Sequence, residues 1–114
     1  MQQRTAMAFN LLLKEEERLY VAHCLELDIV ATGETAEEAR RDVVDLIRAQ
    51  VAYAFAHDNL DHLYRPAPAD VWREFYSCRG ESQEEFSIEP ESGVFVPPWI
   101  VATTCRVESL RYVS

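Results

Sequence analysis

Glycine, basic residues and long apolar runs are all scarce in this chain. Three glycines in 114 residues supply no glycine-rich loop to cradle a phosphate, so nucleotide binding lacks its usual mechanics. Eleven Lys and Arg stand against twenty Asp and Glu, for a net charge of −9 and a pI near 4.7. The acidity is spread along the chain, with 6 basic and 11 acidic residues before Leu60 and 5 and 9 after it. A phosphate backbone repels such a surface, so no direct nucleic-acid binding is expected. No apolar run approaches the roughly 20 residues that cross a bilayer. The stretch Ala6 to Leu13 is broken by Asn10 and runs into Lys14 and Glu15, which does not read as a secretory signal. Three cysteines, Cys24, Cys78 and Cys105, are odd in number, widely spaced and without a CxxC pair. That usage points to reduced, inert thiols and a cytoplasmic protein without membrane contact.

What is present describes an ordinary globular chain. Hydrophobic residues make up 48% and charged residues 27%, which fits one domain over 1–114 with a core that needs neither metal nor disulfide. Ala6 to Lys14 alternates, with Met7, Phe9, Leu11 and Leu13 on one face, and reads as a strand. The charged run Lys14 to Arg18 reads as a hairpin turn. Leu19 to Cys24 follows as a second strand, and Asp28 to Thr32 as a third, ended by Gly33. Three short strands with tight links make an antiparallel meander.

A helix start comes next. Thr35 stands three residues before Glu38, the spacing of a capping box, and Glu37 and Glu38 lie where the helix dipole favours anions. Ala36, Ala39, Val43, Leu46 and Ile47 follow helical spacing and predict the sheet-facing stripe of a long helix over 35–58. From Ala49 to Ala56 the helix is apolar nearly all round, which predicts burial on more than one side and a homodimer or higher homo-oligomer. After the loop Asn59 to Pro68, a short helix to about Tyr76 aligns Val71, Trp72, Phe75 and Tyr76. Arg79 to Gln83 reads as a polar connection and Phe86 to Ile88 as a short strand. Ser92-Gly93 reads as a turn, and Pro97-Pro98 interrupts any sheet. Trp99 to Val107 alternates and is the C-terminal strand expected to join the same sheet. The fold class is α+β: a three-stranded meander, one long helix on one sheet face, and further C-terminal strands.

No constellation carries catalysis, and the chain reads as a non-enzyme with no catalytic residue, cofactor or metal. His57 and His62 are five apart rather than three or four, and His23 and Cys24 point to opposite sides of a strand. Tyr53, Phe55, Trp72, Phe75 and Trp99 read as core aromatics.

The segment Tyr20 to Ala39, YVAHCLELDIVATGETAEEA, resembles the N-terminal domain of HicB-type antitoxins. The matching features are an acidic hairpin at Glu15 to Glu17, an aromatic-x-Ala strand at Tyr20 and Ala22, and a Glu-Leu link at Glu26 and Leu27. The series Gly33, Glu34, Thr35, Glu37, Glu38 and Ala39 then opens the helix. The chain departs from the pattern at Arg18, where the family usually has Gly, and at Leu25, where many members have Pro. The resemblance implies a HicB-like β-β-β-α core over 6–58, a partial RNase H-like arrangement, with 59–114 as a family-atypical extension lacking the usual DNA-binding module. It implies an antitoxin-type interaction module that neutralises a small basic RNA-cleaving toxin. The alternative is an orphan regulatory or structural oligomer, and the remote one a divalent-metal nuclease built on Asp28, Asp42 and Asp45. A basic partner calls for acidic contacts, and Glu15, Glu16, Glu17, Glu26, Asp28 and Glu34 are the expected partner-binding residues. Thr35 and Glu38 are expected to cap the helix structurally.

Overall fold

A computed structural model describes residues 6–78, 81–86 and 99–107. The strands are β1 (Ala6–Glu16), β2 (Leu19–Cys24), β3 (Ile29–Gly33), β4 (Glu81–Phe86) and β5 (Trp99–Val107). Two helices, α1 (Ala36–Ala56) and α2 (Ala69–Ser77), are separated by a 3-10 turn at Leu60–His62. The strands form a five-stranded sheet in the order β3-β2-β1-β5-β4. β5 runs parallel to β1, and the other neighbours are antiparallel. The architecture is therefore α+β with a mixed sheet and a long helix packed on it.

The strand alternation sorts side chains onto two faces. Phe9, Leu11 and Leu13 of β1, Ala22 and Cys24 of β2, and Ile100 and Ala102 of β5 face α1. From the helix come Ala39, Val43, Val44, Ile47, Val51 and Ala54, all buried. Leu46 does not join them. The buried arc is centred near Ile47, and Leu46, one residue and ~100° away, emerges into solvent. Ala36 is only half-buried. Ala49, Gln50 and Tyr53 are exposed within the single chain, so its described residues do not supply the second covered side expected of Ala49 to Ala56.

On the opposite face, Leu12, Leu25, Ala67, Phe75 and Cys105 form a smaller buried cluster beneath α2. Of the expected α2 stripe, Val71 and Trp72 are half-buried and Phe75 buried, while Tyr76 is exposed. Cys78, at the C-terminal cap of α2, is disulfide-bonded to Cys105 of β5, with Cα atoms 6.1 Å apart. This corrects the reading of three reduced thiols: the parallel pairing of β5 with β1 carries Cys105 beneath α2, a proximity that spacing along the chain does not report. Cys24 remains a free, buried thiol.

Several boundaries move: β3 covers Ile29–Gly33 and includes the glycine expected to end it, and α1 covers Ala36–Ala56 instead of 35–58. β1 continues to Glu16, and the hairpin turns on Glu17 and Arg18 alone, at φ 48° and 72°. Two successive left-handed residues match the twist of the flanking strands, so a charged run that looked like loop is strand with solvated side chains. β4 covers Glu81–Phe86, where a polar connection was expected. An outer strand hydrogen-bonds through its backbone and tolerates a polar sequence such as Ser-Gln-Glu-Glu. The expected Ser92-Gly93 turn, the Pro97-Pro98 interruption and the end of the Phe86 to Ile88 strand lie outside the described residues.

Gly33 is required where β3 meets the helix. A Cβ there would lie 2.7 Å from the backbone N of Ala39 and 3.0 Å from the Glu38 Cβ. Thr35 caps α1 as expected, its Oγ1 accepting from the Glu38 N–H at 3.0 Å. The return arm is displaced: Glu38 Oε1 accepts from the Glu34 N–H, at 3.4 Å, instead of from Thr35.

Candidate interaction surface

The six acidic residues expected at a partner surface divide between two ends of the sheet. Glu15 lies opposite Tyr20, which lies opposite Gly33, so Glu15, Glu16, Glu17 and Glu34 gather at the hairpin end. Glu26 and Asp28 belong to the β2–β3 turn, beyond Cys24; Glu26 meets Asn10, five residues along β1 from Glu15 and so ~17 Å away. The six do not form one patch.

The two groups differ in how their carboxylates are used. Glu16, Glu17 and Glu34 are exposed and Glu15 half-buried. Glu16 is 3.4 Å from Lys14 Nζ, which also reaches Glu74 of α2 at 3.1 Å. Burial alone would lower the Lys14 pKa, but its hydrogen bonds to Glu74 and Glu16 and their charges outweigh that and raise it. Arg18 is at the hairpin tip and Arg106 lies 5.5 Å from the Tyr20 ring centre, so cations are interleaved with the acids here. On the neighbouring flank, Arg40 pairs with Glu84 of β4 and lies 3.9 Å from Glu37.

At the other end, Glu26 is an internal fastener. Its Oε1 accepts from the Asn10 backbone N–H at 2.8 Å and its Oε2 from Asn10 Nδ2 at 2.6 Å. Antiparallel β2 runs out at Cys24 opposite Leu11, so on that side Asn10 meets the turn, while its other side pairs with Thr103 of β5. The Glu26 side chain and the Leu25 N–H, which donates to the Asn10 carbonyl at 3.0 Å, complete the ladder there. The same turn accepts from the chain before α2, through Arg65 N–H to Glu26 O and Ala67 N–H to Leu25 O. Leu25 and Leu27 are buried in the two different clusters and plug both faces of the sheet end. Asp28, in a left-handed conformation, bonds through Oδ1 to His23 Nε2 at 2.6 Å. Asn10, the polar interruption of an apolar alternation, was the sequence signal for this anchor.

Beside the turn opens a cleft of about 480 Å³ that sequence reasoning missed. Gln50 and Tyr53 of α1, Ile29 of β3, and Asn59, His62 and Arg65 of the following loop line it. Its residues are scattered between Leu27 and Arg65, and their proximity arises from the chain folding back after α1 to hydrogen-bond the β2–β3 turn. The Tyr53 ring lies tilted against His57 with ring centres 4.1 Å apart, outside the core expected for it. Of the other aromatics expected in the core, Phe55 is half-buried and Trp72 likewise, Phe75 is buried, and the Trp99 side chain lies outside the described residues.

The titratable groups inside the fold are chemically quiet. Burial pushes the Cys24 thiol up to about 12, far from a reactive thiolate. Burial, with the neighbouring Glu26 charge, also raises Tyr64, which stacks against Phe9. Among the described residues no group of three or more His, Cys, Asp or Glu side chains is placed to hold a metal ion. Asp28 is on the β2–β3 turn, while Asp42 and Asp45 are on α1, Asp45 exposed beside Arg48. Among the described residues, no helix is long and apolar enough to cross a membrane. Comparison with family models, curated proteins and solved structures finds no match to the chain.

Proposed function

We propose that this chain is an interaction module of the HicB antitoxin type, which neutralises a small basic RNA-cleaving toxin by covering it directly. The observation that carries the reading is the gathering of Glu15, Glu16, Glu17 and Glu34 at one end of the sheet, next to the outer strand β3. Acidic side chains beside a strand that, among the described residues, pairs on one side only offer a basic protein both charge of opposite sign and backbone to pair with. The β1-β2-β3-α1 order, opened by the Gly33 to Ala39 segment, supports the HicB-like and partial RNase H-like comparison. Glu26 is removed from the contact set, since its oxygens hold Asn10, and Asp28 contributes only if its bond to His23 opens.

The orphan reading, a regulator or structural oligomer without a toxin, draws support from the C-terminal part. β4 and β5 extend the same sheet and α2 covers its second face, so the described residues after Asn59 complete this domain instead of forming a DNA-binding unit. A cytoplasmic setting is part of this proposal; thiols are kept reduced there, and the Cys78–Cys105 bond is the observation that stands against it.

The test is co-expression with a small basic protein encoded beside this chain, followed by stopped-flow association at rising ionic strength. The proposal expects association to slow as salt passes about 0.1 M, where the Debye length is about 10 Å. Joint replacement Glu15→Lys, Glu16→Lys and Glu17→Lys slows it further in a folded protein. A complex indifferent to salt and to the triple replacement, or no complex at all, sinks the antitoxin reading.

A further inference from the structure

α2 is seated on the second sheet face by little besides one covalent bond. Its nine residues are too few to keep a helix without outside support. Its N-cap, Pro68, offers no side-chain hydrogen bond, and its last turn has no basic residue to oppose the dipole. Phe75 is its one buried side chain, Val71 and Trp72 are half-buried, and Glu74 reaches Lys14 in a surface pair. The cluster beneath it, Leu12, Leu25, Ala67 and Cys105, is much smaller than the core on the α1 side. The chain on both sides of the helix is anchored independently of it. Before it, the Ala67 N–H donates to the Leu25 carbonyl at 2.7 Å. After it, Glu81 of β4 stands three residues beyond Cys78 and pairs with Cys105 itself.

We propose that the Cys78–Cys105 bond is a redox latch, whose exchange with a dithiol frees α2 from the sheet while the α1 side stays closed. Cys105 is fully buried and Cys78, at the helix end, is half-buried, so the attacking thiolate enters at the Cys78 sulfur. A mixed disulfide forms there as the Cys78–Cys105 bond breaks. Cys105 leaves as a thiolate and takes up the proton that the attacking thiol has lost. The second thiol of the dithiol then attacks its own sulfur in the mixed disulfide, releases Cys78 as a thiol and closes a cyclic disulfide. Two electrons and two protons pass to the protein, and Leu12 and Leu25 lose their cover. The anchors at Ala67 and Glu81 survive the exchange, so the two thiols remain within a short span of each other. That proximity lets the bond re-form by the reverse exchange with a small disulfide. The latch does not depend on any toxin-binding role.

Hydrogen exchange read by mass spectrometry tests this on the full chain, oxidised and with dithiothreitol. Reduction should speed exchange of the α2 amides, Trp72 to Ser77, about tenfold or more, while those of β1 and of Val43 to Ala54 keep their rates. A hydrophobic dye should bind as α2 lifts, and oxidised glutathione should reverse both changes. Cys78→Ser should behave as the reduced protein without any reagent. Cys24→Ser should respond to dithiothreitol as the wild type does. Unchanged α2 exchange on reduction overturns the proposal, because packing alone then seats the helix. Exchange that rises together across α1 and the sheet overturns it as well, because the bond is then a staple of the whole fold. So does a chain whose three cysteines all stay free thiols under oxidised glutathione.

Discussion

At the hairpin tip, Glu15, Glu16 and Glu17 hold their carboxylates in or near solvent, whereas at the opposite end of the same strands Glu26 commits both oxygens to Asn10. The tip turns in two residues, Glu17 and Arg18, whose side chains are exposed. The β2–β3 turn buries Leu25 and Leu27 on opposite faces and receives backbone bonds from Arg65 and Ala67. Acidic residues of one chemical type thus do different work, decided by the donors each can reach. A carboxylate facing a strand edge that its neighbouring strand has left becomes structure, and one on a solvated hairpin stays available for binding.

The largest expected effect contrasts the apolar residues of the two connections. Leu25→Ala should cost about 2–5 kcal/mol in urea denaturation, because a fully buried side chain leaves a cavity. Leu19→Ala at the tip, where the side chain is exposed, should stay within about 0.5 kcal/mol. Equal losses would erase the distinction between the connections.

The second effect concerns the cluster that Leu25 shares with Cys105. Opening the Cys78–Cys105 bond, by reductant or by Cys78→Ala, releases a loop with sequence separation 27, worth roughly 3–4 kcal/mol by chain entropy. Melting in the presence and absence of reductant measures it. An unchanged melting temperature would show that α2 stays seated without the bond.

The third lies at the end of β2. The Cys24 thiol has its ordinary value of 9.0 pushed up to about 12 by burial. Above pH 9 the unfolded chain ionises there while the folded one does not, so stability falls as pH rises between those values. The fall is about 1.4 kcal/mol per pH unit for this group. Denaturation across that range should show the slope, and Cys24→Ala should flatten it.

The smallest belongs to the hairpin end, where Thr35→Ala should cost about 0.5–2 kcal/mol through the lost Glu38 N–H bond. Thermal melting checks it, with partner association unchanged. Glu38→Ala should cost less, since its return arm is only a long bond to Glu34.

The parts legible in the sequence were those where local pattern and tertiary environment agree. β2 and β5 have the bounds their alternation predicts, and Thr35 caps α1, because strand period and capping act over a few residues. Leu46 was misplaced because helical spacing defines a stripe without fixing which edge of it meets the sheet. β4 was missed because Ser82 to Glu85 gains its strand from β5 and not from its own side chains. Cys105 and Cys78 meet only because β5 inserts beside β1, a long-range pairing that no local signal announces. For the candidate surface, the acids at the tip were legible as a charged run. The role of Glu26 required knowing that Asn10 faces the turn.

The division between binding and structural acids is most directly tested by comparing two variants in one urea experiment. Glu26→Gln places an amide NH2 or a weaker acceptor against the Asn10 donors and should lose about 1–3 kcal/mol. The joint Glu15→Lys, Glu16→Lys, Glu17→Lys replacement should stay within about 1 kcal/mol of the wild type, since Glu16 and Glu17 are exposed, Glu15 is half-buried, and the Glu16–Lys14 contact is a surface pair. The reverse order, with a tolerant Glu26 and a hairpin that unfolds on charge reversal, would contradict the account.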